Sequence, residues 1–111
     1  MSGKFIISKR SNGDFQFNLK AGNNQVILAS QGYGDQAGAT NGVQSVRKNS
    51  ADDARFERMT SSNGKQFFNL LAANGQVIGT SEMYESVAAR DNGIKSVKAH
   101  APDAALVEET A

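Results

Sequence analysis

From Phe15 to Lys20 the chain alternates, with Phe15, Phe17 and Leu19 apolar and Gln16, Asn18 and Lys20 polar. A period of two predicts a strand with one buried and one wet face. "KFIISKR" precedes it, rich in β-branched and aromatic residues. Asn12-Gly13 lies between the two and predicts a tight type I′ turn, in which both central residues need positive φ. Asn23-Asn24 predicts the next turn and "QVILAS" a third strand. The period then lengthens. In "SEMYESVAARDNG", Met83, Tyr84, Val87 and Ala88 fall on one helical face, with Ser81 as the expected N-cap, Glu82 and Glu85 in the first turn, and Gly93 as the left-handed residue that ends the helix. The segments that follow, "GVQSVRKNS" and "GIKSVKAHA", are expected to form a short fourth strand.

The pattern occurs twice. Gly13 falls on Gly64, a shift of 51 positions without a gap, and Phe5, Phe17, Asn18, Leu19, Ser30 and Tyr33 meet their own kind in the second copy. About four in ten aligned positions are identical, far above shared composition. The expected units are β-β-β-α-β, at 4–54 and 55–105, with a tail at 106–111. A unit of about fifty residues without disulfide or metal is marginal alone. The prediction is therefore one α+β domain over 1–111 with a shared core: a single antiparallel-rich sheet with two helices on one face. The shared core is expected to hold Phe5/Phe56, Phe17/Phe68, Leu19/Leu70, Ile27/Ile78, Tyr33/Tyr84, Val43/Ile94 and Val46/Val97. Val26 and Ile27 cannot share a face at period two. The first helix, with Gly32, Gly34 and Gly38, is expected to be weaker than the second.

Composition narrows the function classes. Net charge is +1, from 12 Lys and Arg against 11 Asp and Glu, which gives little electrostatic steering toward nucleic acid or membrane. Cysteine is absent from the sequence, so thiolate chemistry is excluded. No eighteen-residue apolar run and no signal-like segment occurs, and the expected location is the cytoplasm.

Taken together, "FQFNLKAGNNQVILASQGY" with "GVQSVRKNS" and "QFFNLLAANGQVIGTSEMY" with "GIKSVKAHAPDA" resemble the module of the YegP-like family of small bacterial proteins, from about Lys4 to Ala105. The resemblance implies a β3-α-β unit, two of which form one sheet with exchanged last strands. It implies no activity, ligand or catalytic residue. The chain departs from the pattern in its glycine-rich first helix and in "NSADDA", where the second copy has "HAPDA".

No catalytic constellation, cofactor or metal site is predicted. His100 is the single histidine and reads as a surface residue at a strand end. "ADD" at 51–53 lacks the spaced oxygen ligands of a cation loop and reads as a solvated linker. "GYGDQAG" has neither the dinucleotide spacing nor a G-K-[ST] element. The Ser30/Tyr33 and Ser81/Tyr84 pairs read as caps and core aromatics. Arg47, Lys48, Lys95 and Lys98 read as strand residues that blunt an edge.

The outer sheet face remains. Lys4, Asn18, Lys20, Phe67 and Asn69 are the candidate binding surface. The first expectation is a non-enzymatic binding or assembly module acting through this face, its partner unknown, with a protein or nucleic acid as the candidates. The alternatives are RNA or single-stranded nucleic acid, stacked on Phe67, and an enzyme with its site at the axis between the repeats. A monomer is expected, with a strand-swapped dimer as the alternative.

Overall fold

The computed structural model describes residues 3–109. The first repeat forms β1 (Lys4–Lys9), β2 (Phe15–Lys20), β3 (Val26–Ala29) and α1 (Gln36–Asn49). A single 3-10 turn, Asp53–Arg55, leads into β4 (Phe56–Thr60), β5 (Gln66–Leu71), β6 (Val77–Thr80), α2 (Val87–His100) and β7 (Ala105–Glu109). The seven strands form one mixed sheet in the order β4-β5-β6-β3-β2-β1-β7. All pairings are antiparallel except β1 with β7, which is parallel. The α+β class with two helices against one sheet is as the patterning predicts.

Each hairpin turn uses one left-handed residue rather than two: Gly13, Asn24, Gly64 and Gly75 have positive φ, and Asn12 does not. The expected type I′ turn is thus replaced by a longer one, closed by Gly13 N–H to the Arg10 carbonyl and Arg10 N–H to the Asp14 carbonyl. The asparagines serve another purpose. The Asn12 side chain accepts from the Asp14 N–H and Asn74 from that of Gln76.

The largest departure from the sequence reading concerns the helices. "VQSVRKN" and "IKSVKAH" are helix, not a fourth strand. Ala39, Val43 and Val46 make an i, i+4, i+7 stripe into the core, and Ile94 and Val97 do the same in α2. Four β-branched residues, read over a short window, imitate a strand. The caps are Asp35 and Ser86, whose side chains accept from the Gly38 and Ala89 N–H. Ser81 does not cap α2. Its hydroxyl accepts the Phe68 N–H at 3.0 Å and donates to the Glu82 carbonyl, and Ser30 does the same with Phe17 and Gln31. Met83, Tyr84, Glu82 and Glu85 precede the helix. Tyr84 is extended and bridges Gln66, as Tyr33 bridges Phe15.

Gly93 likewise does not end α2. It lies within it, and a Cβ there would collide with the Tyr84 hydroxyl and ring; Gly42 stands in the same relation to Tyr33 and Phe17. Glycine is required at both positions by close approach, not by φ. The glycine-rich first helix is not shortened, since both helices have 14 residues. Arg47, Lys48 and Lys98 lie in helical last turns, where cations complement the dipole, rather than on a strand edge.

One core serves both repeats, and every member of the expected set is buried except Tyr33 and Tyr84, which are half-buried against it. A bulge between Leu19 and Lys20 places Leu28 opposite Leu19 and Val26 opposite Lys20. Ile27 is then the extra residue, buried like Ile78 while Val77 is exposed. The repeats meet where β3 pairs β6, through the single registered pair Ala29–Thr80. Leu28, fully buried, fills the space that Gly79 leaves: a Cβ on Gly79 would sit 2.7 Å from the Leu28 side chain. α1 also reaches β5 and β6, and α2 reaches β3. The halves are held by interlocked helices and a shared interior more than by the narrow backbone seam.

Candidate binding surface

The helices cover the face bearing Phe5, Phe17, Leu28, Phe68 and Leu70, leaving the opposite face open. Register ties that open face into one row across all seven strands: Val107, Ile6, Asn18, Ala29, Thr80, Asn69, Glu57. Asn18 and Asn69 therefore lie in the same row, in matching positions of the two repeats. Lys4 and Lys20 are directly opposed across β1 and β2. Phe67 is on β5, three strands from Lys20, or about 14 Å at ordinary strand spacing. The alternating strand directions put Phe67, Lys20 and Lys4 on the same side of the row. The five sequence candidates share a face and split into a cationic pair and a distant aromatic.

The two halves of this face differ in chemistry. In the second repeat the Thr80 hydroxyl donates to Asn69 Oδ1 at 2.8 Å, and Asn69 Nδ2 donates to Glu57 Oε1 at 3.1 Å. Met59 pairs with Phe67 on one side of this polar track, and Val77 with Leu71 on the other. Met59 and Val77 are each 36% exposed, and Phe67 and Leu71 are half-buried. In the first repeat the same places hold Ser8 with Gln16, and Lys20 with Val26. Ala29 and Ile6 flank Asn18 where Thr80 and Glu57 flank Asn69. Leu71, the counterpart of Lys20, falls on the open face by parity alone; Met59 and Val77 were missed because each reads as an ordinary core residue of a strand until register assigns its face.

A cleft of about 450 Å³ opens between the repeats, lined by Gln25, Val26, Ile27, Glu82 and Tyr84. Burial, and secondarily the charge of Glu82, push the Tyr84 phenol above its ordinary value. Burial raises Tyr33 as well. A phenol held protonated is poorly placed for proton transfer near neutral pH. The cleft can hydrogen-bond a ligand more readily than do acid–base work.

Among the described residues, no three His, Cys, Asp or Glu side chains gather as a metal site would require, and no helix is long and apolar enough to cross a membrane. The carboxylates of 51–53 are engaged within the chain. Asp52 accepts from the Ala54 N–H, and Asp53 bonds Lys98 at 3.0 Å with Arg58 beside it at 3.7 Å. The Lys98 hydrogen bond and charge, with a smaller part from Arg58, hold the Asp53 carboxyl below its ordinary value. His100 ends α2 rather than a strand. Its Nδ1 lies 2.8 Å from the Ser96 carbonyl, and Nε2 accepts the Gly22 N–H of the turn after β2 at 3.4 Å. The "GYGDQAG" loop leads into α1, whose first turn is occupied by the Asp35 carboxylate.

Two β-β-β-α modules sharing one sheet define the class: a duplicated α+β module. The chain matches the family described as "Domain of unknown function (DUF1508)" twice, over residues 11–57 and 61–108, and it belongs to that family. A UPF0339 protein of the ptx operon 5′ region in Stutzerimonas stutzeri is 58% identical over 108 residues, covering 97% of each chain. The solution NMR structure of Escherichia coli YegP, described as a protein of unknown function, superposes with a TM-score of 0.94 at 46% identity, covering 99% of this chain and 95% of that one. A UPF0339 protein from Shewanella oneidensis superposes at 0.93 with 51% identity, covering 99% and 93%.

Proposed function

We propose that the chain is a non-enzymatic protein-docking module whose contact surface is the open sheet face of the second repeat. The observation that carries this reading is the pair of apolar rails, Met59–Phe67 and Leu71–Val77, on either side of the hydrogen-bonded Glu57–Asn69–Thr80 track. Met and Phe are enriched in protein contact surfaces, and a satisfied polar track between apolar rails supplies register at little desolvation cost. The partner this chemistry fits presents apolar side chains on both sides of a basic group, which meets the Glu57 carboxylate. The cationic pair Lys4 and Lys20 lies on the other repeat and marks the rim.

A photo-crosslinking phenylalanine analogue placed at position 67, and separately at Gln16, tests this in a bacterium carrying the gene. The expected result is a discrete protein adduct from 67 and none from 16. With the purified partner, Phe67→Asp or Met59→Asp should weaken binding by about tenfold or more. Equal labelling from both positions, a nucleic-acid adduct, or unchanged affinity in both variants overturns the reading.

A further inference from the structure

We propose that the outer edge of β4 is a strand-acceptor site that takes an extended peptide segment of another protein, parallel to β4. This inference is independent of the open-face reading. It starts from the two ends of the sheet, which the repeat makes equivalent in sequence and which are not equivalent in structure. At one end β7 lies parallel on β1, with Leu106 opposite Phe5, Val107 opposite Ile6 and Glu108 opposite Ile7. β4 occupies the place in the second repeat that β1 has in the first, and no described strand lies beyond it. The segment after α1, which corresponds to the one that becomes β7 after α2, is consumed in making β4 itself.

Backbone groups there are available. In an antiparallel pair, alternate residues turn their N–H and C=O away from the partner strand. Gln66 and Phe68 direct theirs toward Tyr84 and Ser81, so Phe67 and Asn69 direct theirs toward Met59 and Glu57. The N–H and C=O of Arg58 and Thr60 then point outward. The Phe56 N–H is taken by the Asp53 carbonyl.

A second feature is retained at both ends. Arg47 lies over the Phe5 ring at 5.4 Å and donates from Nη2 to the Ala104 carbonyl at 2.6 Å, gripping the residue before β7. Lys98, the aligned residue, lies over Phe56 at 5.9 Å, with its ammonium on Asp53. The cation that holds an arriving strand is thus in place beside the bare edge. The carbonyl of an incoming segment, in the position of Ala104, meets Lys98.

The side chains of β4, buried at Phe56 and exposed from Glu57 to Thr60, define what fits. Register copied from β7 sets successive peptide residues against Phe56, Glu57, Arg58 and Met59. The segment is therefore apolar opposite Phe56, basic opposite Glu57, acidic opposite Arg58 and apolar opposite Met59. Glu57 and Arg58 also discourage pairing with an uncharged apolar strand.

The probe is a peptide of residues 103–111 carrying Val107→Lys and Glu109→Leu, titrated to millimolar concentration into the isotope-labelled full chain. Strand addition predicts amide shifts concentrated at Phe56, Arg58 and Thr60, and slowed exchange of the Arg58 and Thr60 N–H. A nitroxide on the peptide N-terminus should broaden Arg55 and Phe56 more than Thr60, the signature of parallel alignment. N-methylation at alternate peptide residues should weaken binding about tenfold in one phase and leave it unchanged in the other. Lys98→Ala should weaken it more than Lys98→Arg. Arg58→Pro should abolish it, and the N-methylated peptides give the same answer if that variant does not fold. No shifts, shifts centred on β1 and β7, or preferential broadening at Thr60 overturns the proposal.

Discussion

Set side by side, the two repeats carry the same skeleton with opposite polarity at their margins. In the first, Ile7 and Phe15 pack under α1 beside Ala39, and Ser8, Gln16 and Lys20 lie on the open face. In the second, the aligned residues are Arg58, Gln66 and Arg90, and Met59, Phe67 and Leu71 take the places of Ser8, Gln16 and Lys20 on the open face. Arg90 Nη1 donates to Gln66 Oε1 at 3.0 Å, and Asp91 lies 3.4 Å from Arg58 and 3.3 Å from Arg90. Duplication supplies two equivalent positions, and the sheet needs only one of each pair for the core. Phe17, Leu19, Val43 and Val46 stay matched because both halves of the core need them. Ile7, Leu28 and Ala39 belong to the apolar core in one copy only, so divergence reaches into the interior as well as the open face, where a single-copy surface can arise.

The strongest way to break this comparison is to separate the halves. Residues 1–54 alone lack α2, β6 and the β7 strand that covers β1. That fragment is expected to show no cooperative thermal transition as a monomer, checked by circular dichroism with light scattering. A monomeric, sharply melting fragment would mean that each repeat folds by itself. Next in size is the junction. Leu28→Ala should cost about 2–5 kcal/mol in denaturant unfolding, the usual range for a buried leucine. Gly79→Leu with Leu28→Gly moves the side chain to the other repeat and should recover more than half of that loss. If the double change is worse than Leu28→Ala, the two sides of the junction are not interchangeable.

The parts legible in the sequence were those governed by local rules read twice. Alternation in "DFQFNLK" located one strand, the repeat carried it to "KQFFNLL", and the shared apolar set located the core. The helices were misplaced because Gly42 and Gly93 look like terminators, while their reason for being glycine is a tyrosine that precedes the helix and packs against it. The caps Asp35 and Ser86 occupy aligned positions but differ in type, whereas the serines at 30 and 81 are identical and imitate caps. The open face was legible by parity at Asn18, Lys20, Phe67 and Asn69. The apolar rails needed register, since only cross-strand pairing brings Met59 to Phe67 and Leu71 to Val77. The bare edge of β4 had no sequence signal, because which strand lies outermost is set by pairing.

The glycines give a sharper and smaller test. Alanine in mid-helix normally stabilises by up to about 1 kcal/mol. At Gly42 or Gly93 it meets a tyrosine ring and hydroxyl, and overpacking of this kind costs about 1–3 kcal/mol. Gly93→Ala should therefore destabilise, and Tyr84→Phe in the same chain should restore part of the loss by removing the oxygen in the way. Gly38→Ala, at the start of α1, meets only the edges of Asp35 and Tyr33 and should cost less. Chemical denaturation of the three single variants and the double gives the ranking. A stabilising Gly93→Ala would show that the tyrosine can move aside.

The least of the expected effects separates the repeats by charge. Both tyrosines sit above the ordinary phenol value of 10.0 because burial disfavours the phenolate, and Tyr84 also faces Glu82, where the first repeat has Gln31. The folded chain thus keeps these protons to higher pH than the unfolded chain does. Their contribution to stability is complete below pH 10 and is lost as pH rises through the folded values. Ultraviolet titration should show both tyrosines ionising above 10, with Tyr84 the later, and Glu82→Gln should draw the two together. Unfolding at pH 8 and at pH 11 isolates the linked part, because Tyr84→Phe should lose less stability over that interval than the parent. If the two chains lose the same amount, the Tyr84 hydroxyl is as well solvated in the folded state as in the unfolded, and its seat against Gly93 is not closed to water.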